Sequence, residues 1–246
     1  MTSVNWHNRF TQQAHWTESL RAYAFTNVGL STAKEVLEVG CGTGAILAGL
    51  KTSASLHGLD IEPAHLIQAL SHAPKAHLTC GDAHNLPYLS HLFDITFCHY
   101  LLLWVNDPLK VLTEMKRVTR QDGYVLALAE PDYRRRIDQP SELAKLGQLQ
   151  TESLRHQGAN PDIGGQLKDL FIQAGIHVLE SGELARRVND SPTPEEWELE
   201  WDVLEYDLSE PVSEVDLKKY KSIDKRAWET GKRQLYIPTH FAWGRV

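Results

Sequence analysis

The chain has 246 residues, 42% of them hydrophobic and 23% charged, enough apolar material for one large packed domain or one domain with a cap. A net charge of −7 argues against non-specific nucleic-acid binding, and no run of about 18 apolar residues offers a membrane span. The N-terminus lacks the charged-then-apolar layout of a signal peptide. Cys41, Cys80 and Cys98 lack metal-ligand spacing, so they read as reduced thiols of a cytoplasmic protein.

Residues 1–33 are rich in aromatics and amides and read as an N-terminal helical flap. Trp16, Leu20 and Tyr23 could share one helical face, either packed on a sheet edge or closing over a ligand. Glu35–Gly40 reads as a strand, and Gly44–Leu50 as the start of a helix. Three glycines in five positions, Gly40, Gly42 and Gly44, separate them. A loop of this kind at the C-terminal end of a parallel strand lies where open α/β sheets bind ligands. The helix N-terminus behind it would favour an anion.

Strands then alternate with helices. Ser55–Ile61, Ala76–Asp82, Phe93–Tyr100 and Gly123–Glu130 read as strands. Pro63–Ala73 and Asp107–Thr119 read as helices, with Asp60 a candidate N-cap for the first. Such alternation implies a parallel sheet covered on both faces. Beyond Glu130 lies a charged, turn-rich stretch. A helix over Ser141–Gln157 follows, with Ser141 as N-cap, then a helix over Ile163–Ala174 and a sixth strand over Ile176–Ala185. Residues 191–231 read as helical, in pieces starting at Pro194 and Ser213. Trp197, Trp201 and Leu204 form a stripe that is either a cap's own core or an acceptor-pocket wall. Tyr236–Val246 fits a last strand.

The string Gly40-x-Gly42-x-x-Ala45 fits the loose dinucleotide fingerprint, so a nicotinamide oxidoreductase has to be weighed. The longer string Glu38-x-Gly40-x-Gly42-x-Gly44 resembles the first motif of class I methyltransferases that use S-adenosyl-L-methionine (SAM). Further resemblance runs from Glu35 to Glu130, through Asp60 and Gly81-Asp82-Ala83. The resemblance is to the small-molecule branch, with quinone-biosynthesis-type enzymes nearest. It implies a Rossmann-like doubly wound α/β sheet of seven strands, mostly parallel with an antiparallel last strand, plus a helical cap. The corresponding division is a core over 34–190, a cap insertion over 191–235 and the last strand over 236–246.

Each part of SAM demands something of this chain. The loop residues Gly40, Cys41, Gly42 and Gly44 would admit the methionine end, with Glu38 near its amine. Asp60 would grip the ribose diol and Ile61 cover one face of the adenine. Asp82 and the Ala83 N–H would meet the adenine edge. His99, ending the fourth strand, either lends its backbone to the cofactor or acts as a general base. Tyr133 is a second catalytic candidate. Trp16, Tyr23, Tyr100, Trp104, Tyr133 and Trp201 are the candidate wall of an acceptor pocket, and several of them would serve equally as core. The Arg134–Arg136 run reads as a solvated face or an anion site. No His-x-x-x-His spacing exists, so no metal is expected. The implied activity is methyl transfer from SAM to a small-molecule acceptor. A SAM-binding protein without turnover is the alternative.

Overall fold

Why the sheet forms is visible in its central strand. In β1 (Glu35–Val39), Leu37 and Val39 enter one core cluster while Val36 enters another on the opposite face. The computed structural model describes residues 4–184 and 192–246; Ala185, and the boundary between residues 190 and 191 drawn above, lie outside them. The remaining strands of the main sheet are β2 (Ser55–Asp60), β3 (His77–Cys80), β4 (Phe93–His99), β5 (Thr119–Pro131), β7 (His177–Glu183) and β9 (Thr239–Arg245). Their order is β3-β2-β1-β4-β5-β9-β7. Neighbours from β3 to β5 are parallel, and β9 runs antiparallel to both β5 and β7.

On one face lie α4 (Pro108–Val118) and α6 (Leu167–Gln173), placing Met115 and Phe171 against Leu37 and Val125. On the other lies α2 (Glu18–Asn27), whose Phe25 meets Phe97 edge-on with ring centroids 5.2 Å apart. Asp94, at the start of β4, is a fastening far from the ligand end. Its carboxylate accepts from the Lys34 and Glu35 N–H groups and pairs with Arg120.

The helix expected from Gly44 does not form; a 3₁₀ turn at Leu47–Gly49 stands in its place. Only a few residues separate Gly44 from Gly49, too few to repay helix nucleation. Helix α3 (Pro63–His72) is capped by Glu62, whose side chain accepts from Ala64 N, and not by Asp60. Ser141 opens a 3₁₀ turn and donates to Glu142; α5 (Ala144–His156) starts after it without a side-chain cap. The flap is α1 (Trp6–Trp16) followed by α2, broken at Thr17, so Trp16 and Tyr23 do not share a face.

The cap contains α7 (Pro194–Leu208) and α8 (Glu214–Glu229). Thr193 and Glu196 form a reciprocal capping box at the start of α7, and Ser213 caps α8. Trp197, Trp201 and Leu204 pack with Leu143, Leu146 and Leu217 in the cap's own core. Both indole N–H groups donate to Asp224 Oδ2, at 2.7 and 2.8 Å, and Arg233 Nε donates to Asp224 Oδ1 at 2.8 Å. A two-stranded ribbon not foreseen from sequence, β6 (Ile137–Gln139) with β8 (Gln234–Tyr236), ties the segment after β5 to the segment before β9. Tyr236 therefore belongs to β8, and Pro238, which lacks an N–H, separates it from β9.

Candidate active site

Strand β1 ends in a loop that turns three times through left-handed backbone. Gly40, Gly42 and Gly44 have φ of +74°, +51° and +77°, values that only glycine holds without strain. The Gly40 and Cys41 N–H groups donate to Leu59 O, and the Gly42 N–H donates to Asp60 Oδ2 at 2.8 Å. The loop is thus tied to the end of β2. Helix α1 lies over it. A Cβ on Gly42 would sit 3.0 Å from the Phe10 ring, and His7 Nδ1 lies 2.8 Å from Thr43 Oγ1. His7 also stacks on His72 at 3.4 Å between centroids.

Beside this loop a cavity of about 2270 Å³ opens under α1 and the cap. Glu38, Gly40, Cys41 and Gly42 line it from β1 and its loop. Asp60 and Ile61 line it from the end of β2, and His99 and Tyr100 from the end of β4. Glu38 is buried, and burial pushes its carboxyl well above the usual range, opposed in part by the charge of Arg21. Among the described residues its Oε2 has no hydrogen-bond partner. Asp60 is also buried, but His65 and the Glu62 and Gly42 N–H groups outweigh that burial and hold it below the usual carboxylate range. Two acids of opposite tendency therefore flank the glycine loop. Ile61 is 70% exposed and offers an apolar face beside them.

Three of the candidate cofactor-binding residues do not reach this space as their sequence positions implied. Asp82 and Ala83 are not on the cavity wall. The Asp82 side chain, 47% exposed, accepts from His84 N and Nδ1 at 2.9 and 2.7 Å, while Ala83 belongs to the sheet core. Gly44 faces α3, where a Cβ would lie 3.2 Å from Ala73. Gly40 and Gly42 line the cavity, and Gly44 serves loop packing.

On the acceptor side, Trp16, Tyr100, Trp104 and Tyr133 line the cavity. Trp201 does not; it is 0% exposed and committed to Asp224 in the cap core. Tyr23 is 51% exposed, donates to Glu180 and packs edge-on against Trp243, away from the cavity. His99 is neutral. Burial and the Arg21 charge push it down to about 3, and its Nε2 lies 2.9 Å from Thr17 Oγ1. Burial pushes the Tyr100 phenol up to about 12 and raises Tyr133 as well. Tyr100 itself sits at φ +52°, a strained position for an aromatic residue at the cavity wall. Of the Arg134–Arg136 run, Arg134 pairs with Asp132, Arg135 with Glu183 and Arg136 with Asp138.

Sequence reasoning missed Arg9 and Gln13, which α1 turns into the cavity with Trp6, Phe10 and Trp16. Their positions, 6, 9, 10, 13 and 16, trace one helical face, and that spacing was the available signal. Among the described residues no three His, Cys, Asp or Glu side chains converge to hold a metal ion, and no helix is long and apolar enough to cross a membrane.

Residues 37–127 match the family model described as a methyltransferase domain. The chain is 34% identical over 99 residues to the malonyl-[acyl-carrier protein] O-methyltransferase of Halorhodospira halophila, covering 38% of this chain and 34% of that protein. It is 32% identical over 137 residues to the demethylmenaquinone methyltransferase of Tropheryma whipplei, covering 53% and 54%. Matches thus span about a third to a half of the length of these relatives. Among solved structures, geranyl diphosphate C-methyltransferase from Streptomyces coelicolor, in complex with S-adenosyl-L-homocysteine, superposes with a TM-score of 0.56 at 14% identity, covering 94% of this chain and 80% of that one. Fold, glycine loop and family match agree: residues 37–127 match a methyltransferase domain, set in a sheet of the kind that the solved methyltransferase above shares. SAM is the cofactor this match indicates. The site fits it: an unpartnered buried carboxyl oxygen for an ammonium, an ionised acid at the second strand tip for a diol, and glycines where a backbone must come close.

Proposed function

We propose that the chain transfers the methyl group of SAM to a small-molecule acceptor bound in the same cavity. The observation that carries this is the cavity's size together with its two acids. Ordinary small-ligand pockets hold up to about 1,000 Å³. A space of about 2270 Å³ beside Glu38 and Asp60 leaves room for donor and acceptor together. Glu38 would hold the donor's ammonium, Asp60 its ribose hydroxyls, and Ile61 one face of its adenine. When bound, SAM supplies an electrophilic methyl on a sulfonium, so the protein's task is alignment and exclusion of water. Helix α1 and the cap do the second, because they roof the cavity with Trp16 and Leu204.

The two relatives named above act, by their names, on different acceptors, so what they share with this chain is the donor. A small acceptor also suits the net charge of −7, which disfavours nucleic acid. The three cysteines are unpaired, which fits a reducing, cytoplasmic setting. The test is a screen of metabolite mixtures with isotopically labelled methyl donor, read by mass spectrometry. A product gaining one labelled methyl group supports the reading. Tight SAM binding with no methylated product from any mixture favours a protein that binds SAM without turnover.

A further inference from the structure

Most acid and base groups on the acceptor side of the cavity wall are already committed among the described residues. Glu200 pairs with Arg233 at 2.6 Å, and Glu196 closes the capping box of α7. Asp138 pairs with Arg136 at 2.9 Å. Asp207 accepts from Gln150 and Gln157 amides at 2.9 and 3.1 Å, and burial pushes it toward its neutral form. Lys232 is exposed at the rim. Arg9 is different. It is half-buried on the wall, and no described carboxylate lies within ion-pair distance of it. Its Nη1 donates to Gln12 Oε1 at 2.8 Å, and its guanidinium stacks 4.8 Å over the Trp16 ring. Those two contacts fix the group's orientation and leave further N–H donors for a ligand. Its charge is felt at both wall phenols and, beyond ion-pair distance, at Asp207, in each case lowering the group against the larger effect of burial.

We propose that the acceptor is a carboxylic acid, held as its carboxylate by Arg9 with Tyr100 and Tyr133 beside it, and that the product is its methyl ester. This rests on the SAM-dependent reading above and names its substrate class. An acceptor hydroxyl or amine that must lose a proton needs a base at the reacting end. Among the described residues three imidazoles line the cavity: His99 is neutral, engaged with Thr17 and too weak to take a proton efficiently, His65 faces Asp60, and His15 faces Glu18. The two phenols, raised by burial, keep their protons at neutral pH and are not bases. A carboxylate arrives already deprotonated. One of its oxygen lone pairs forms the new O–C bond to the methyl carbon while the C–S bond breaks and its electrons return to sulfur. Anion and sulfonium become neutral ester and neutral thioether, and no proton moves. A planar guanidinium is suited to grip such a group in two places. The walls formed by Trp6, Leu154, Val203 and Leu204 suit an aryl or medium-chain body on the acid.

The test compares each probe acid with its uncharged isostere. Protein saturated with S-adenosylhomocysteine is titrated with 3-phenylpropionate and octanoate, and with their primary amides, while tryptophan fluorescence is followed. The acids should bind at least about tenfold tighter than the amides, as a charge-assisted pair requires. Arg9→Gln should abolish that difference without changing affinity for S-adenosylhomocysteine, and Arg9→Lys should keep part of it. With SAM present, the methylated product should release methanol in mild alkali. Equal affinity for acid and amide, discrimination that survives Arg9→Gln, or an alkali-stable methyl product overturns the proposal. Failure of S-adenosylhomocysteine to bind at all would instead remove the reading on which it rests.

Discussion

Glu38→Gln separates the cost of a buried acid from its use. In the free protein Glu38 is buried, its pKa is raised by that burial, and one oxygen has no partner. A folded-state pKa above the unfolded value means that the folded protein binds more protons than the unfolded chain. The carboxyl's contribution to stability is therefore fully present below its unfolded pKa and is lost as pH rises through the folded one. Glutamine has no charge to desolvate, so the stability of the unliganded variant relative to wild type should rise as pH is raised above the unfolded carboxyl pKa of about 4.3. Ligand binding should respond in the opposite sense. A bound ammonium draws Glu38 into its ionised form, so donor binding to wild type releases up to one proton at pH values below the free-state pKa. The charge-assisted hydrogen bond that glutamine cannot make is worth about 1.5–3 kcal/mol, or roughly 10- to 150-fold in affinity. Calorimetric titration of SAM in buffers of different ionisation enthalpy reads both quantities. Wild type should show a buffer-dependent enthalpy and the variant none. A Glu38→Gln protein that binds SAM within threefold of wild type, or a buffer-independent wild-type enthalpy, would refute the assignment of Glu38 to the ammonium.

Other substitutions test the loop, the cap and the buried imidazole. Gly42→Ala places a Cβ at φ +51° and 3.0 Å from Phe10, so it should cost about 1–3 kcal/mol of stability and weaken SAM binding at least tenfold, measured by thermal melt and calorimetry. Trp201→Phe leaves Trp197 and Arg233 on Asp224 but removes one buried N–H donor. It should destabilise the protein by about 1–3 kcal/mol while leaving SAM affinity unchanged, whereas a Trp201 in the acceptor pocket would change acceptor KM with little loss of stability. His99, held near 3, is neutral in the folded state and charges on unfolding below about pH 6.5. Its contribution to stability is present above that pH and is lost as pH falls, reaching at most about 2 kcal/mol at pH 5 by linkage. Denaturant melts of wild type and His99→Gln across pH 5–8 should converge as pH falls, and parallel curves would contradict a buried neutral imidazole.

The sheet was legible because parallel strands buried on both faces read as short apolar runs, and Val36–Val39, Phe93–Cys98 and Val125–Ala129 are such runs. The glycine loop was legible for a related reason, since three positive-φ positions in five residues leave glycine no substitute. Acids that end strands were less so. Asp60 and Asp82 sit at equivalent strand ends, yet one is folded back onto the glycine loop and the other onto His84, two residues along. Nothing in the local string distinguishes those choices. The small β6–β8 ribbon joins residues nearly a hundred positions apart through three-residue strands, too short for any alternation to show. Aromatic residues were the hardest to place. Trp16 and Trp201 carry the same chemistry, and only tertiary contacts make one a cavity wall and the other a cap-core residue hydrogen-bonded to Asp224.

The central claim is that the crevice between the glycine loop and the tip of β2 holds SAM. Titration calorimetry of the wild-type protein and of Asp60→Ala, with SAM and separately with reduced nicotinamide dinucleotide, tests it most directly. Wild type should bind one SAM per chain and no dinucleotide. Asp60→Ala, deprived both of the carboxylate and of its hold on the Gly42 N–H, should bind SAM at least tenfold more weakly. No heat with SAM, or an Asp60→Ala protein that binds it as wild type does, would contradict the account.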